Sequence, residues 1–119
     1  MKLSEAEWSV MESLWRAERR SFAAVSAELK TVKGWSKTTV HTYLTRMEKK
    51  GLVSIDHSLP EPYCAAVSRA ECAREERTEL LDKVYGGATG ELIAAFLKES
   101  NINREEVERL RRLLDEMEV

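Results

Sequence analysis

The sequence predicts a mainly α-helical protein with one small β-hairpin. Five segments carry apolar residues at the three- and four-residue spacing of an amphipathic helix, whereas residues 52–57 alternate apolar and polar residues with a period of two. Three segments begin with a capping residue followed three positions later by glutamate, the signature of a helix start. The order of these segments predicts a domain of three helices and a hairpin over residues 1–70 and a three-helix domain over residues 71–119.

The first two predicted helices each present an apolar stripe. Ser4 and Glu7 form a capping box that starts the first helix, and Ser21 can cap the second. Two tryptophans on one short helix are more typical of a core anchor than of a DNA-stacking surface. The predicted core positions are Trp8, Met11, Leu14 and Trp15 in the first helix and Phe22, Val25, Leu29 and Val32 in the second.

The third predicted helix follows Trp35 and has two chemically different faces. Ser36 is a suitable N-cap, and Gly51 after two lysines is a suitable stop. The apolar face is formed by Val40, Tyr43, Leu44 and Met47. The opposite face carries short hydroxyl side chains and cations, which fit a DNA groove and its phosphates. It comprises Thr38, Thr42, Thr45 and Lys49, with His41 and Arg46 beside them.

A β-hairpin is predicted directly after the third helix. Residues 52–57 alternate as a half-buried strand does, residues 58–62 contain both prolines of the chain and form a turn, and residues 63–67 supply the return strand. A helix-turn-helix pattern followed by a hairpin is the winged-helix arrangement.

The second half of the chain predicts three helices that need a partner. A helix runs from Ser68 to about Tyr85, Gly86-Gly87 breaks it, and two amphipathic helices follow, the last capped by Asn103. About fifty residues bury too little surface for a core of their own, so the expected partner is a second copy of the chain. Packing on the first domain is the alternative. The residues assigned to the dimer interface are Tyr85, Leu92, Ile93, Phe96, Val107, Leu110, Leu114 and Met117.

The formal net charge of −2 is unevenly distributed along the chain. Residues 1–70 hold 11 Lys/Arg against 8 Asp/Glu, a net of +3, and residues 71–119 hold 8 against 13, a net of −5. Residues 30–51 hold six cations against Glu48 alone. This distribution is typical of a nucleic-acid reader joined to a part that does not touch phosphate.

The expected cellular location rests on two features that the sequence does not show, a signal peptide and a membrane-spanning segment. Nothing resembles a signal peptide, and no apolar segment approaches membrane-spanning length. We therefore expect a cytoplasmic protein without membrane insertion, whose Cys64 and Cys72 are reduced.

The residue patterns argue against an enzyme, a metal site and a cofactor. The sequence contains no glycine-rich phosphate loop, no histidine with two carboxylates at ligand spacing and no serine in a nucleophile setting. Cys64, Cys72, His57 and His41 match none of the usual ligand spacings. Redox sensing by Cys72, near a helix start, is a less favoured alternative.

With these elements placed, the chain resembles the penicillinase-repressor family, which includes repressors of β-lactamase and methicillin resistance and copper-responsive repressors. The resemblance covers almost the whole chain. It rests on Leu3-Ser4-Glu5-Ala6-Glu7-Trp8 with Val10-Met11 and Leu14-Trp15, on Gly34-Trp35-Ser36-Lys37-Thr38-Thr39-Val40, on Leu44-Thr45-Arg46-Met47 with Lys49-Lys50-Gly51-Leu52, and on Lys83-Val84-Tyr85-Gly86-Gly87. It implies a homodimeric winged-helix transcriptional repressor on a two-fold operator in double-stranded DNA, with the third helix in the major groove and the C-terminal helices interlocked.

The resemblance also assigns base and phosphate contacts. It places them on Ser36, Lys37, Thr38, Thr39, Thr42, Thr45 and Arg46, and the outward face agrees for all except Thr39, which lies toward the flank. Lys49 and His41 complete the predicted DNA-binding set. His41 reads a base or a phosphate, or is only a solvated flank residue, and both alternatives stay open. Arg46 is the best candidate for a strong contact.

Three departures from the family qualify this assignment. The β-lactam-responsive members are cut at an Asn-Phe bond in the fifth helix when a membrane sensor peptidase is triggered, and the aligned dipeptide here is Ala95-Phe96, which keeps the phenylalanine and lacks the asparagine. Ala95-Phe96 is therefore a candidate cleavage site, and both proteolysis and another signal acting on the C-terminal domain stay open as ways to relieve repression. The copper-responsive members end in paired cysteines, which this chain lacks, so thiolate copper sensing of that kind is not expected. The hairpin carries His57, Pro60 and Pro62 where basic residues would add phosphate contacts, so DNA binding should depend on it only weakly.

One function of another class remains open at this point. A winged helix can also serve as a protein-interaction module, whose basic face docks an acidic protein instead of DNA. Specific binding of duplex DNA distinguishes the two hypotheses.

Overall fold

A computed structural model describes residues 2–117. Within those residues it contains six helices and one two-stranded antiparallel sheet, which confirms the predicted mainly helical class with a hairpin. The elements are α1 Glu5–Leu14, α2 Phe22–Lys33, α3 Lys37–Lys49, β1 Val53–Ile55, β2 Tyr63–Ala65, α4 Arg69–Tyr85, α5 Thr89–Glu99 and α6 Arg104–Glu116.

The chain forms two compact units, the first ending at Arg77 and the second beginning at Thr78. This boundary and the predicted one, between residues 70 and 71, both fall within α4. Among the described residues, no helix is both long and apolar enough to cross a membrane.

The core of the first unit forms where α1, α2 and α3 meet, with the hairpin packed beside them. Each helix contributes at least one almost completely buried side chain, Met11 from α1, Leu29 from α2 and Leu44 from α3. Trp8 and Trp15 are half-buried and meet edge to face at the border of this core, with ring centroids 5.5 Å apart. Other fully buried side chains are Val10, Leu14, Val25, Val40 and Met47.

One predicted core position is wrong. Val32 is 65% exposed, whereas Leu29, three residues earlier, is buried. Val32 lies in the last turn of α2, which ends at Lys33, so the core-facing stripe of this helix stops at Leu29.

Side-chain caps fix the helix starts where the sequence predicts them. Ser4 Oγ accepts from the Glu7 backbone N–H at 3.1 Å, and Glu7 Oε1 accepts from the Ser4 backbone N–H at 2.9 Å, which completes the capping box. Ser36 Oγ accepts from the backbone N–H of Thr39 at 3.2 Å and so defines the start of α3. Gly51, which follows the end of α3, has φ +80°, a conformation that favours glycine.

The hairpin is shorter than predicted and is braced by the segment before α2. Val53 pairs with Ala65 and Ile55 pairs with Tyr63. The backbones of Arg20 and Tyr63 exchange two hydrogen bonds of 2.8 and 3.0 Å, so residue 20 adds a one-residue bridge to the outer side of β2. This bridge fixes the hairpin relative to α2.

Candidate nucleic-acid interface

The third helix is held by its apolar face and presents its polar face to solvent. Val40, Leu44 and Met47 are completely buried. The Trp35 ring stacks on that of Tyr43 with centroids 4.7 Å apart and an interplanar angle of 8°. This stack ties the residue before the N-cap to the middle of α3, so the first turn of the helix has a fixed position.

The structure brings all nine predicted DNA-binding residues together on α3 or its N-cap, and none is buried. Ser36, Lys37, Thr38, His41, Arg46 and Lys49 are exposed, and Thr39, Thr42 and Thr45 are half-buried. Their contact with DNA stays a prediction.

The hydroxyl groups on this face are not equivalent. Thr42 Oγ1 donates to the carbonyl of Thr38 at 2.9 Å, which leaves its oxygen lone pairs free to accept a hydrogen bond from a base. Ser36 Oγ and Thr39 Oγ1 lie 3.1 Å apart, and Ser36 Oγ also serves as the helix cap. Ser36 and Thr39 therefore shape the start of the helix in addition to any contact with DNA.

His41 lies on the exposed face beside α2. Its ring meets the edge of Phe22 at a centroid distance of 6.3 Å and an angle of 83°. This contact orients the imidazole while leaving the residue exposed, so both alternatives for His41 remain open.

The six cations of residues 30–51 divide into two groups. Lys50 Nζ lies 2.8 Å from Glu7 Oε2, and Lys33 Nζ lies 4.0 Å from Glu5 Oε1. In contrast, Lys30, Lys37, Arg46 and Lys49 form no ion pair among residues 2–117, and their charge is available to a phosphate. The sequence places all six cations in one basic segment and does not indicate that Lys33 and Lys50 pair with carboxylates of α1.

The side chains of two arginines support the fold rather than a DNA surface, Arg19 at the hairpin and Arg20 between α1 and α2. Arg19 Nε donates to the Glu61 carbonyl at 2.9 Å, and Arg19 Nη2 donates to the Pro62 carbonyl at 2.6 Å. Arg20 Nη1 bonds Ser13 and Glu28. The sequence does not indicate the role of Arg19, because its partners lie 42 and 43 residues along the chain and leave no local pattern.

The tip of the hairpin is acidic. Hydrogen bonds from the Ser58 hydroxyl and backbone N–H hold the pKa of Asp56 below its ordinary value of 3.8. Glu61 is exposed on the same turn. These two carboxylates, offset in part by the Arg19 guanidinium beside them, disfavour contact with phosphate.

The second unit presents apolar side chains on its surface. No residue of α5 or α6 is buried, and Phe96, Leu114 and Met117 are each more than half exposed. Of the other residues assigned to a dimer interface, Ile93 and Leu110 are exposed, and Tyr85, Leu92 and Val107 are half-buried. The Ala95-Phe96 bond lies inside α5.

The environment of Cys72 is unlike that of a reactive thiol. Both thiols are free, and Cys72 is 5% exposed. Burial, reinforced by Glu75, raises the pKa of the Cys72 thiol, which disfavours the thiolate that oxidation requires. Both the burial and the raised pKa argue against redox sensing by Cys72. Among residues 2–117, no three side chains of His, Cys, Asp or Glu come together in a way that could hold a metal ion.

Comparison with known proteins gives consistent matches over almost the whole chain. The family model described as penicillinase repressor matches residues 3–116. The methicillin resistance regulatory protein MecI of Staphylococcus aureus strain N315 is 28% identical over 116 residues, covering 96% of this chain and 94% of that protein. The penicillinase repressor of S. aureus is 28% identical over 118 residues (98% and 94%), and that of Bacillus licheniformis is 25% identical over 118 residues (97% and 91%).

Proposed function

This chain belongs to the penicillinase repressor family, and from that premise we propose that it is a DNA-binding transcriptional repressor that acts as a homodimer on a two-fold operator. Its site of action would be the bacterial cytoplasm. The observation that carries the proposal is the polar face of α3, which combines exposed cations with threonine hydroxyls on a helix fixed by its buried face.

The chemistry of this face favours sequence reading over general attraction to polyanions. Arg46 is exposed and can form a bidentate contact with guanine, while Thr42 can accept from a base edge or contact a thymine methyl group. Lys37 and Lys49, near the two ends of the same helix, supply charge for flanking phosphates. The protein as a whole is slightly acidic, with a sequence pI of about 5.8, so its attraction to DNA must be local.

A homodimer accounts for the exposed face of the second unit. Leu110, Leu114 and Met117 lie at helical spacing on α6 and its C-cap, and all three are exposed in the single chain. A second copy would cover these side chains and would also supply a second α3 for the other half of the operator.

Relief of repression would follow if the second unit were cut. Ala95 and Phe96 lie in the interior of α5, where the peptide bond is hydrogen-bonded and helical. Cleavage there would separate α6 from the DNA-binding unit and remove the proposed dimer. The protease would be a membrane sensor peptidase, and mass spectrometry of the protein from induced and uninduced cells would detect the fragment ending at Ala95.

A binding assay tests the central proposal. Fluorescence anisotropy would compare duplex DNA from the region upstream of the gene with random duplex of equal length at moderate salt. We expect tighter binding to the upstream DNA and a footprint of two related half-sites. Equal affinity for both duplexes would overturn the proposal, and capture of an acidic protein after nuclease treatment would then favour the interaction module.

A further inference from the structure

A hollow lies in the first unit between α2 and the start of α3, beside the face that we propose reads DNA. Its volume is about 800 Å³. Five small residues, two lysines and one tryptophan surround it. They are Ala23, Ser26, Ala27 and Lys30 of α2, Gly34 and Trp35 of the connection, Ser36 at the N-cap and Lys37 in the first turn of α3.

The side of the hollow formed by α2 carries mostly small side chains. Ala23, Ser26, Ala27 and Lys30 follow one another at spacings of three, one and three, so they form one stripe of the helix. Three of these four side chains are small, and a bulky group outside the protein can therefore come close to the helix backbone. The stripe ends in a lysine rather than in a carboxylate.

A buried hydroxyl group opens into the hollow. Ser26 is only 4% exposed and forms part of the lining. Its hydroxyl makes no hydrogen bond within residues 2–117, and every fully enclosed side-chain oxygen in that part of the chain has a partner. The Ser26 hydroxyl is therefore not fully enclosed, and because Ser26 lines the hollow, this hydroxyl is placed to donate to an oxygen of a group bound there.

The charge around the hollow is positive. Lys30 and Lys37 are both exposed. The first turn of α3 contains no acidic residue, and the Ser36 cap accepts from the Thr39 N–H, which leaves the N–H groups of Lys37 and Thr38 unused. The start of this 13-residue helix also carries the positive end of its dipole.

We propose that this hollow seats one phosphate of the DNA backbone, held by Lys30, Lys37 and the Ser26 hydroxyl. The inference rests on the proposed function and adds Ser26 and Lys30 to the predicted DNA-binding set. A phosphate bound here would fix the depth and register of α3 in the groove without reading sequence.

Two lysines of α2 provide a matched comparison. Lys30 lines the hollow, whereas Lys33 lies outside it, 4.0 Å from Glu5. Lys30→Ala should reduce the slope of log affinity against log salt concentration by about 0.9, the value for one lost phosphate contact. Lys33→Ala should leave that slope unchanged. Equal slopes for the two variants would overturn the proposal.

A second variant fills the hollow without changing its charge. Ala27 is exposed, so Ala27→Leu alters the wall and leaves the core intact. We expect weaker binding of any duplex with an unchanged melting temperature. Wild-type affinity in Ala27→Leu would show that no part of the DNA enters the hollow.

A titration with inorganic phosphate tests whether the hollow binds a phosphate of the DNA backbone or a free anion. NMR titration without DNA would follow the backbone amides of Lys37 and Thr38. If phosphate shifts them and Lys30→Ala abolishes the shift without changing the DNA salt slope, the hollow holds a free anion and the proposal fails. The salt slope can be measured on random duplex. A failure of the phosphate proposal can therefore be told apart from a failure to find the operator.

Discussion

Lys50 Nζ lies 2.8 Å from Glu7 Oε2 and connects the end of α3 to the first turn of α1. The Glu7 side chain is 9% exposed and uses its other oxygen to accept from the backbone N–H of Ser4. One carboxylate thus closes the capping box of α1 and holds the C-terminal end of the proposed recognition helix. The position of α3 depends on this contact as well as on its apolar stripe.

Removal of Lys50 should destabilise the first unit. Lys50→Ala leaves the nearly buried carboxylate of Glu7 without its cation, and we expect a loss of about 1–3 kcal/mol in the free energy of unfolding. Lys49→Ala, which removes the neighbouring exposed cation, should change it by less than about 0.5 kcal/mol. Urea unfolding of both variants measures the difference. Equal stabilities would show that the 2.8 Å contact is not maintained in solution.

Glu7 should also make the fold sensitive to acid. Burial raises the pKa of Glu7, but hydrogen bonds from Lys50 and Ser4 outweigh it and bring the pKa below its ordinary value of 4.5. Because the folded pKa lies below the unfolded one, this stabilisation is present above pH 4.5 and is lost as the pH falls through the folded pKa. The melting temperature of Glu7→Gln should therefore fall less steeply with acid than that of the wild type. Glu5→Gln, at an exposed position of the same turn, is the control and should keep the wild-type profile.

Arg46 should contribute strongly to operator binding and little to folding. It is exposed on α3 and forms no ion pair among residues 2–117. We expect Arg46→Ala to weaken specific binding by about 1–3 kcal/mol with an unchanged melting temperature, measured by anisotropy and circular dichroism. Arg46→Lys keeps the charge and loses the bidentate geometry, so it should retain random-duplex affinity and lose discrimination. Unchanged operator affinity in Arg46→Ala would mean that α3 presents another face to DNA.

The sequence predicted those parts of the fold that local patterns determine. Ser4, Ser36 and Asn103 marked helix starts because a capping side chain acts within one turn, and the buried face of α3 followed from residue spacing alone. Lys50 belongs to the basic segment of residues 30–51, and the sequence does not indicate its pairing with Glu7 because the two residues lie 43 positions apart. Arg19 was passed over for the same reason, since its partners lie 42 and 43 residues along the chain. Only tertiary packing distinguishes a cation held inside the fold from one available to DNA.

The acidic tip of the hairpin should weaken DNA binding. Asp56 is ionised at neutral pH as an exposed aspartate, and the hydrogen bonds from Ser58 lower its pKa further. The Arg19 guanidinium bonds backbone carbonyls rather than the Glu61 carboxylate. Asp56→Asn combined with Glu61→Gln should raise the affinity for duplex DNA by about twofold to fivefold, as expected for exposed charges. Glu105→Gln with Glu108→Gln gives the same change in net charge in the second unit and should have no effect. Weaker binding of the hairpin variant would indicate that these carboxylates contact DNA bases instead.

The apolar face of α6 should determine the oligomeric state. Leu110 is 36% exposed in the single chain, and Leu114 and Met117 extend the same face. Leu110→Asp would place a charge in the proposed dimer seam, so sedimentation equilibrium should detect monomers. Circular dichroism should show an unchanged helix content. Arg112→Asp introduces the same side chain about 200° around the helix and should leave the dimer intact. A monomeric repressor would hold only one half-site, so Leu110→Asp should also weaken operator binding more than random-duplex binding. A dimer that persists in Leu110→Asp would place the interface on another surface of the chain.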